Sequence, residues 1–532
     1  MALILSYPKY VKVNQNNLEL AIRQGVHPQM EWVDPKRDGL PYFWNCVAGE
    51  KTGNFHHFTF SASHTTGRRL ESLTSVQSVL DIEVPEAVYD NLEKWAYKVF
   101  DNPMKMMCNL DMETFEPELV CDLHNLREVM YSFLGILRRK PEDEKAKAHV
   151  LHLIKMVDKY TDYVTGQWKN EEFHADTGGR AICAVCTPEE GFRFTGSMAR
   201  YIEALMRVCQ EFEVPEALEQ ALRLKETFFN TVLDEEGNFA VEKFCAHIHS
   251  VTAAMCGLAM LGDYVKDTAV LDRVDKFMNN GFYDIAMDIG WSTENDARDD
   301  DWVGEINNSV DLMETCLYLA QNGYPGYYGR AEQMIRSHIL PSQLLDVGFL
   351  SDEELADDSV SRLGSRMKGA FGFPCPYGHE DKPGSEISFN WDIVSGGVSG
   401  LCQAYKRRAA VEKNVVSLNL LFDYADENVT FTDPYEGDGM AKLCLKKKCV
   451  VKIRIPKRCS VTVKNPEIQT QYSGEWLYVL GAPVGEEIEI SFAFEKEEAE
   501  VEFKGKKLKM VYYGESLLWV EAEGKRLCYF PE

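Results

Sequence analysis

Long apolar runs are missing from this 532-residue sequence. No segment approaches the roughly 18 apolar residues that a membrane-spanning helix needs. The opening residues M-A-L-I-L-S-Y-P also lack the basic region of a secretory signal. From these two absences we expect a cytoplasmic protein without a membrane partner.

Positive charge is scarce. Lysine and arginine together number 57 against 84 aspartate and glutamate residues, which gives a net charge of −27. A field of this sign repels the phosphate backbone of nucleic acids. The composition therefore argues against a nucleic-acid partner.

Several motifs of known chemistry are also absent. The glycines of F389-N-W-D-I-V-S-G-G-V-S-G400 do not form G-x-G-x-x-G or a P-loop, and no G-x-S-x-G occurs. The 15 cysteines are mostly isolated in apolar patterns, and the pair Cys183 and Cys186 has no second CxxC nearby. We therefore predict structural thiols, no disulfide framework and no cofactor.

Helical periodicity begins near residue 68. Val88, Leu92, Trp95 and Val99 are spaced 4, 3 and 4 residues apart, and similar spacing recurs in eleven candidate helices. The helices follow one another as hairpins, which predicts a mainly α protein with an (α/α)6 barrel over residues 68–411. Residues 1–67, which are rich in Pro, Gly and aromatics, predict an N-terminal arm of short strands that packs on the barrel.

The period changes to two after about residue 412. Val451 and Ile453 alternate with polar neighbours, as do Ile488, Ile490 and Phe492. Such alternation is typical of half-buried antiparallel strands. Residues 412–532 are therefore predicted to form a C-terminal β-sandwich.

Acidic residues are concentrated in W291-S-T-E-N-D-A-R-D-D-D-W-V-G-E-I-N-N308, which we call the acidic loop. Glycoside hydrolysis commonly uses two carboxyl groups, one protonated and one ionised. Glu294, Asp301 and Glu305 in this loop, with Asp392 facing them from the last barrel helix, are the predicted catalytic residues. The alternative is a solvated loop without chemistry.

Aromatic and polar residues near these carboxylates predict sugar contacts. Tryptophan offers a flat apolar face to a sugar ring, whereas histidine and asparagine can bond to hydroxyl groups. The predicted substrate-binding residues are His57, His64, His249, Trp291, Trp302, Asn307 and Trp391.

Several segments together resemble glycoside hydrolase family 127, the β-L-arabinofuranosidase group. They are H249-S-V-T, G304-E-I-N307, S395-G-G-V-S-G-L-C-Q-A-Y405, V415-V-S-L-N-L-L-F422 and Y513-G-E-S-L-L-W519. The resemblance implies the barrel-then-sandwich order and a carbohydrate substrate. It also implies a cysteine nucleophile held on zinc by a glutamate and further cysteines.

This sequence departs from that family at the metal site. Glu305 is present, but Asn307 replaces the cysteine two positions on, and the tandem cysteines are replaced within Ser395, Gly396 and Gly397. Without thiolates the soft ligands that suit zinc are missing. We therefore predict no metal and a carboxylate mechanism, with Glu294 or Asp301 as acid and Glu305 or Asp392 as base.

Three functions remain open from the sequence. The first is an exo-acting glycoside hydrolase that removes a terminal sugar from an oligosaccharide or glycoside. The second is a lyase or unsaturated-uronyl hydrolase, in which Arg298, Arg362 and Arg366 would neutralise a uronate. The third is a sugar-binding protein without catalysis. The oligomeric state stays open, with a homo-oligomer as one alternative.

Overall fold

The computed structural model describes residues 13–48, 57–186, 194–240, 247–295, 302–379, 387–522 and 527–530. Fifteen α-helices lie within them. In chain order they are α1 Leu18–Glu31, α2 Ser61–Gln77, α3 Glu86–Phe100, α4 Leu126–Arg139, α5 Glu144–Tyr160, α6 Asn170–Thr177, α7 Tyr201–Phe212, α8 Pro215–Thr231, α9 Ile248–Val265, α10 Thr268–Asn279, α11 Phe282–Ile285, α12 Ile306–Gln321, α13 Tyr327–Met334, α14 Leu363–Met367 and α15 Trp391–Arg407.

Two concentric rings of helices form the barrel. The inner helices α2, α4, α7, α9, α12 and α15 contact one another in this order, and α15 closes the ring against α2. The outer helices α3, α5, α8, α10, α13 and α1 pack mainly on α2, α4, α7, α9, α12 and α15, respectively. The predicted (α/α)6 barrel is confirmed.

The inner helices carry apolar residues on every side because they are surrounded by other parts of the protein. In α9 every side chain from Ile248 to Gly262 is buried. This helix is also long and apolar enough to cross a membrane by length and composition, but 83% of it is buried inside the protein. Its apolar surface is therefore accounted for by packing between α7 and α12.

The N-terminal part differs from the expected arm of short strands. Within 1–67, residues Leu18–Glu31 form α1, which Asn17 caps by accepting from the Leu20 amide. Gly25 and Pro28 interrupt the sequence pattern without ending the helix, because α1 packs on α15 as the sixth outer helix. The barrel therefore begins in the region that the sequence assigned to strands.

The strands lie mainly after the barrel. They are β1 Val33–Asp34, β2 Leu40–Pro41, β3 Trp44–Ala48, β4 Val120–Asp122, β5 Thr161–Asp162, β6 Gln167–Trp168, β7 Arg180–Ile182, β8 Gly378–His379, β9 Ile387–Asn390, β10 Ala409–Glu412, β11 Val415–Leu418, β12 Tyr424–Ala425, β13 Val429–Phe431, β14 Met440–Leu445, β15 Val450–Arg454, β16 Cys459–Val463, β17 Gln469–Ser473, β18 Trp476–Leu480, β19 Glu487–Phe494, β20 Lys496–Phe503, β21 Lys506–Tyr513, β22 Ser516–Val520 and β23 Leu527–Cys528.

Two five-stranded sheets form the predicted sandwich. Their strand orders are β10-β11-β15-β18-β17 and β12-β13-β14-β19-β16. Val451 and Ile453 of the first sheet share one apolar core with Ile488 and Ile490 of the second. The period-two pattern therefore marked the buried face correctly. A separate three-stranded sheet, β20-β21-β22, follows the sandwich.

A buried ion-pair cluster joins the barrel to the C-terminal strands. Arg454 of β15 binds the Glu515 carboxylate through two nitrogens, both at 2.6 Å, and also pairs with Glu332 of α13. Glu332 in turn accepts from Arg336 at 2.7 Å and from the Leu421 amide at 2.8 Å. All four charged groups are fully buried, so each depends on its partners.

We predict that Glu332→Gln lowers the free energy of unfolding by about 3–5 kcal/mol, because two buried arginines would lose a carboxylate. Denaturant titration measures this change. The matched control is Glu500→Gln, which removes an exposed partner of Lys507 and should leave the free energy nearly unchanged. Equal effects of the two substitutions would contradict the role of the buried cluster.

Candidate active site

Ionisable side chains gather where the N-terminal ends of the inner helices meet. His64 lies in the first turn of α2, Glu128 of α4, His249 of α9 and Asp392 of α15, and Glu305 is the N-cap residue of α12. Helix N-termini carry partial positive charge and stabilise carboxylates. The barrel thus assembles an acidic site from residues far apart in sequence.

Asn307 connects the two carboxyl groups of this site. Its Nδ2 atom donates to Glu305 Oε1 at 2.9 Å and to Asp392 Oδ2 at 2.7 Å. Its Oδ1 atom accepts from Arg68 Nη2 at 3.1 Å, which fixes the orientation of the amide because arginine only donates. Since one nitrogen bonds to both oxygens, these oxygens are separated by no more than the sum of the two distances.

Positive charges surround Asp392. Its Oδ1 atom lies 2.9 Å from Arg68 Nε and 3.5 Å from His64 Nε2. Burial acts to raise the pKa of Asp392, but the charges of His64 and Arg68 outweigh it and hold this pKa well below its ordinary value. Asp392 is therefore ionised.

His64 is the cationic partner in this arrangement. Its Nδ1 atom lies 2.6 Å from Asn125 Oδ1, while the Asn125 amide donates to Ser63. Nδ1 must therefore carry a proton, and Nε2 faces the Asp392 carboxylate. Burial opposes protonation, but Asp392 and Glu128 outweigh it and raise the pKa of His64.

Glu305 is in the opposite protonation state. Burial, followed by the negative charges of Glu294 and Asp392, raises its pKa well above the ordinary value, against the opposing hydrogen bond from Asn307. A neighbouring histidine determines which oxygen of Glu305 can carry the proton. His249 Nε2 accepts from Arg127 Nη1 at 3.2 Å, so its proton lies on Nδ1, which faces Glu305 Oε1 at 3.2 Å.

The donors that converge on Glu305 Oε1 determine where the acid proton lies. Asn307 Nδ2 donates to this oxygen, and the protonated Nδ1 of His249 lies 3.2 Å from it. A neutral Glu305 therefore carries its proton on Oε2. The site holds one carboxyl ready to donate a proton beside one that stays ionised, which is the division of roles found in carboxylate acid–base catalysis.

Ion pairs continue below these residues into the barrel. Arg127 binds Glu128 at 2.7 Å and Glu203 at 3.0 Å, and Arg200 binds Glu128 at 2.7 Å. Despite burial, the arginines lower the pKa of Glu128 and of Glu203 to about 2. Asp311 differs, because burial and the charge of Glu203 raise its pKa to about 8.

Three groups of described residues bring His, Cys, Asp or Glu ligand atoms within 4.8 Å of one another. They are His247, His249 and Glu305; His64, Glu128 and Asp392; and Glu203, Cys256 and Glu314. In the last two groups arginines already neutralise the carboxylates. The first group, with two imidazoles and one carboxyl, has donors of the kind that bind zinc.

The zinc–cysteine site of family 127 does not fit this structure. A Cβ atom at Gly396 would lie 1.9 Å from Asn307 Oδ1 and 2.1 Å from Arg68 Nη2. Asn307 and Arg68 therefore occupy the space that a cysteine side chain at position 396 would need. We derive no catalytic step through a zinc–thiolate group in this chain.

The three tryptophans predicted to bind sugar lie in the protein core, so this prediction is wrong. Trp291 is fully buried, donates to the Pro374 carbonyl at 2.9 Å and packs against Trp302 and Phe503. Trp391 is fully buried and stacks on Trp32 at 4.8 Å. The tryptophans that frame the acidic loop anchor it to β20 instead of offering a face to substrate.

The other predicted residues divide between the site and its surroundings. His64, His249, Glu305, Asn307 and Asp392 come together as described above. Glu294 is half-buried, and its amide donates to the Val303 carbonyl at 2.9 Å, which joins the two described ends of the acidic loop. Asp301 and Arg298 lie outside the described residues.

His57 and two arginines have positions away from this cluster. His57 Nε2 lies 3.1 Å from Asp34 Oδ2, and the ring stacks on Tyr42. Arg366 is buried over Trp32 and donates to backbone carbonyls, while Arg362 is exposed. The proposed uronate-binding role of these two arginines finds no support in their positions.

Several ionisable residues of the site, among them all of its arginines, were not predicted from the sequence. The missed residues are Arg68, His124, Arg127, Glu128, Arg200, Glu203 and Asp311, all buried. One signal was present: H124-N-L-R-E128 places a histidine and an ion pair at the start of an apolar helix. Charged residues on the apolar face of an inner helix indicate a buried network, because such residues are rarely buried alone.

The fold is an (α/α)6 barrel followed by a β-sandwich, and known structures share it. The structure is similar to that of a GH127 beta-arabinofuranosidase, with TM-score 0.58 and 12% identity over 96% of this chain and 84% of the other. It is also similar to a GH127 beta-L-arabinofuranosidase from Geobacillus stearothermophilus T6, with TM-score 0.55 and 10% identity over 94% and 80%.

A third solved structure, described as a glycoside hydrolase, has TM-score 0.55 and 8% identity over 96% of this chain and 83% of the other. No protein-family model and no curated protein sequence matches the chain. At these identities the likeness is one of fold. The resemblance to family 127 that the sequence predicted is confirmed at that level.

We predict that Gly396→Ala disrupts the site, because the added methyl group would collide with Asn307 and Arg68. Overpacking of this kind costs about 1–3 kcal/mol, which thermal unfolding measures. Gly326→Ala is the matched control, since its Cβ would meet nothing closer than 3.9 Å. An unchanged melting temperature for Gly396→Ala would contradict the packing described here.

Proposed function

We propose that this protein is a retaining glycoside hydrolase in which Glu305 is the general acid and Asp392 the nucleophile. The observation that carries the proposal is the pair of carboxyl groups on the Asn307 amide, one with a raised pKa and the other with a lowered pKa. The fold it shares with GH127 beta-arabinofuranosidases supports a carbohydrate substrate.

The separation of the two groups supports retention of configuration. Retaining enzymes hold their carboxyl groups about 5–5.5 Å apart, whereas inverting enzymes need about 6.5–9.5 Å to admit a water molecule. Hydrogen bonds of 2.9 and 2.7 Å to the same nitrogen keep Glu305 Oε1 and Asp392 Oδ2 below the inverting range.

The reaction follows from the two protonation states. Asp392 attacks the anomeric carbon while neutral Glu305 gives its proton to the leaving oxygen, which breaks the glycosidic bond and forms a glycosyl ester. Glu305, now ionised, takes a proton from water, and the hydroxide equivalent cleaves the ester and frees Asp392. Arg68 and His64 stabilise the Asp392 carboxylate before attack and after release.

In this scheme Glu294 helps to raise the pKa of the general acid Glu305. Its negative charge is the largest contribution after burial to the raised pKa of Glu305. It therefore adds to burial in favouring the protonated form of the acid. This differs from the sequence-based expectation in which Glu294 or Asp301 donated the proton and Glu305 was a base.

A uronate-directed lyase or hydrolase receives less support. The arginines that lie at the site, Arg68, Arg127 and Arg200, are each paired with a carboxylate. Removal of a single terminal sugar and a cytoplasmic location stay predictions from the sequence.

Leaving-group dependence tests the assignment. On a panel of alkyl and dinitrophenyl glycosides, Glu305→Gln should lose about 100-fold or more on alkyl glycosides but far less on dinitrophenyl glycosides, which need no acid. Asp392→Asn should lose turnover on both. Glu294→Gln should retain activity but shift the alkaline limb of the pH profile to lower pH, since less charge opposes ionisation of Glu305.

The exposed residue Glu172 provides a control, because Glu172→Gln should behave as the wild type. The anomeric configuration of the first product, followed by proton NMR, checks retention. Wild-type protein that is folded but hydrolyses no glycoside, or Glu305→Gln with full activity on alkyl glycosides, would overturn the proposal.

A further inference from the structure

A cavity of about 880 Å³ lies at the opposite end of the barrel from Glu305 and Asp392. It is formed where the C-terminal ends of α2, α4, α7, α12 and α15 converge. Its volume is within the range of small-molecule binding sites, roughly 300–1,000 Å³. None of the residues assigned to catalysis above lines it.

Cations dominate the charged lining of this cavity, in contrast to the chain's net charge of −27. The five are Arg138, Arg139, Arg207, Lys406 and Arg407, whereas Glu211 is the one carboxylate in the described lining. Such a concentration of positive charge in an acidic protein favours an anionic ligand.

Three of these cations already have carboxylate partners. Arg138 binds Glu211 at 2.6 Å, and Arg207 binds Glu314 at 2.8 Å. Arg139 pairs with Glu86 and Glu93. Their charges are therefore largely balanced within the protein.

Lys406 and Arg407 differ from these three arginines in their partners. Within the described part of the chain, no carboxylate oxygen lies within 4.0 Å of either side-chain charge. Arg407 Nη1 donates to Gln403 Oε1 at 2.7 Å, and its guanidinium lies 4.4 Å from the centre of the Tyr318 ring. A neutral amide and an aromatic ring thus hold the guanidinium in place without neutralising it.

Capping of a helix C-terminus explains the position of Arg138 but not that of Arg407. Arg138 Nη1 donates to the Glu71 carbonyl and the Thr74 hydroxyl of α2, both at 3.0 Å, as a capping arginine does. Arg407 instead bonds to a side-chain amide of its own helix. Lys406 is solvent-exposed, and partial desolvation by its neighbours, followed by repulsion from Arg138, lowers the pKa of its ammonium group.

The uncharged lining suits hydroxyl groups. Side-chain amides supply donors and acceptors, and the Tyr318 ring adds an aromatic surface. The amides are those of Gln77, Gln210, Gln321 and Gln403. We propose that this cavity binds a phosphorylated sugar, with the phosphate dianion between Lys406 and Arg407 and the sugar hydroxyls on the glutamine amides.

Isothermal titration calorimetry on the full chain tests the proposal with three probes: glucose 6-phosphate, inorganic phosphate and glucose. We expect the sugar phosphate to bind at one site per chain and at least tenfold more tightly than inorganic phosphate, with no heat from glucose. The double variant Lys406→Gln/Arg407→Gln should weaken this binding at least tenfold, because both unbalanced charges are lost.

Lys507→Gln is the control, since Lys507 is exposed in β21 and paired with Glu500. Equal melting temperatures would show that the double variant is folded, and Arg407→Lys should restore part of the affinity. The proposal is overturned if no probe binds, if the double variant binds like wild type, or if inorganic phosphate binds as tightly as the sugar phosphate.

Discussion

The hydrogen bonds of the Asn307 amide hold the rest of the site in place. One side chain joins Glu305, Asp392 and Arg68, which come from three different inner helices. The ring of helices must close for these contacts to exist, and position 396 must be glycine to leave room for them. The resemblance of the sequence to family 127 predicted metal–thiolate bonds at this place. Here an amide and a guanidinium join the residues instead.

Charge balance in the barrel interior explains the unequal behaviour of the carboxyl groups. Arg127 pairs with Glu128 and Glu203, and Arg207 also pairs with Glu203, so these two carboxylates remain ionised although buried. Among the described residues, the side chains that approach the Glu305 carboxyl group are a neutral histidine and a neutral amide, and the charges of Glu294 and Asp392 raise its pKa. Without a cation of its own it is left protonated, and this gives the site its acid.

Much of the fold could be predicted from local patterns, whereas the site could be predicted only in part. Periods of 3.6 and 2 mark the barrel helices and the sandwich strands, since each reflects one buried face. Glu305 of the acidic loop and Asp392 lie together at one end of the barrel, as the sequence suggested. The tryptophans misled because composition cannot distinguish a sugar platform from a core residue, and Trp291 is fully buried. Arg68 was missed because its partners Asn307 and Asp392 are distant in sequence.

The protonation state of Glu305 is the central claim, and carbon-13 NMR of glutamate side-chain carboxyls measures it directly. Comparison of labelled wild type with Glu305→Gln assigns the resonance, which is then followed from about pH 4 to pH 9. We expect a protonated carboxyl at neutral pH that titrates well above the ordinary glutamate value of about 4.3. A Glu305 resonance that titrates near that ordinary value would contradict the account.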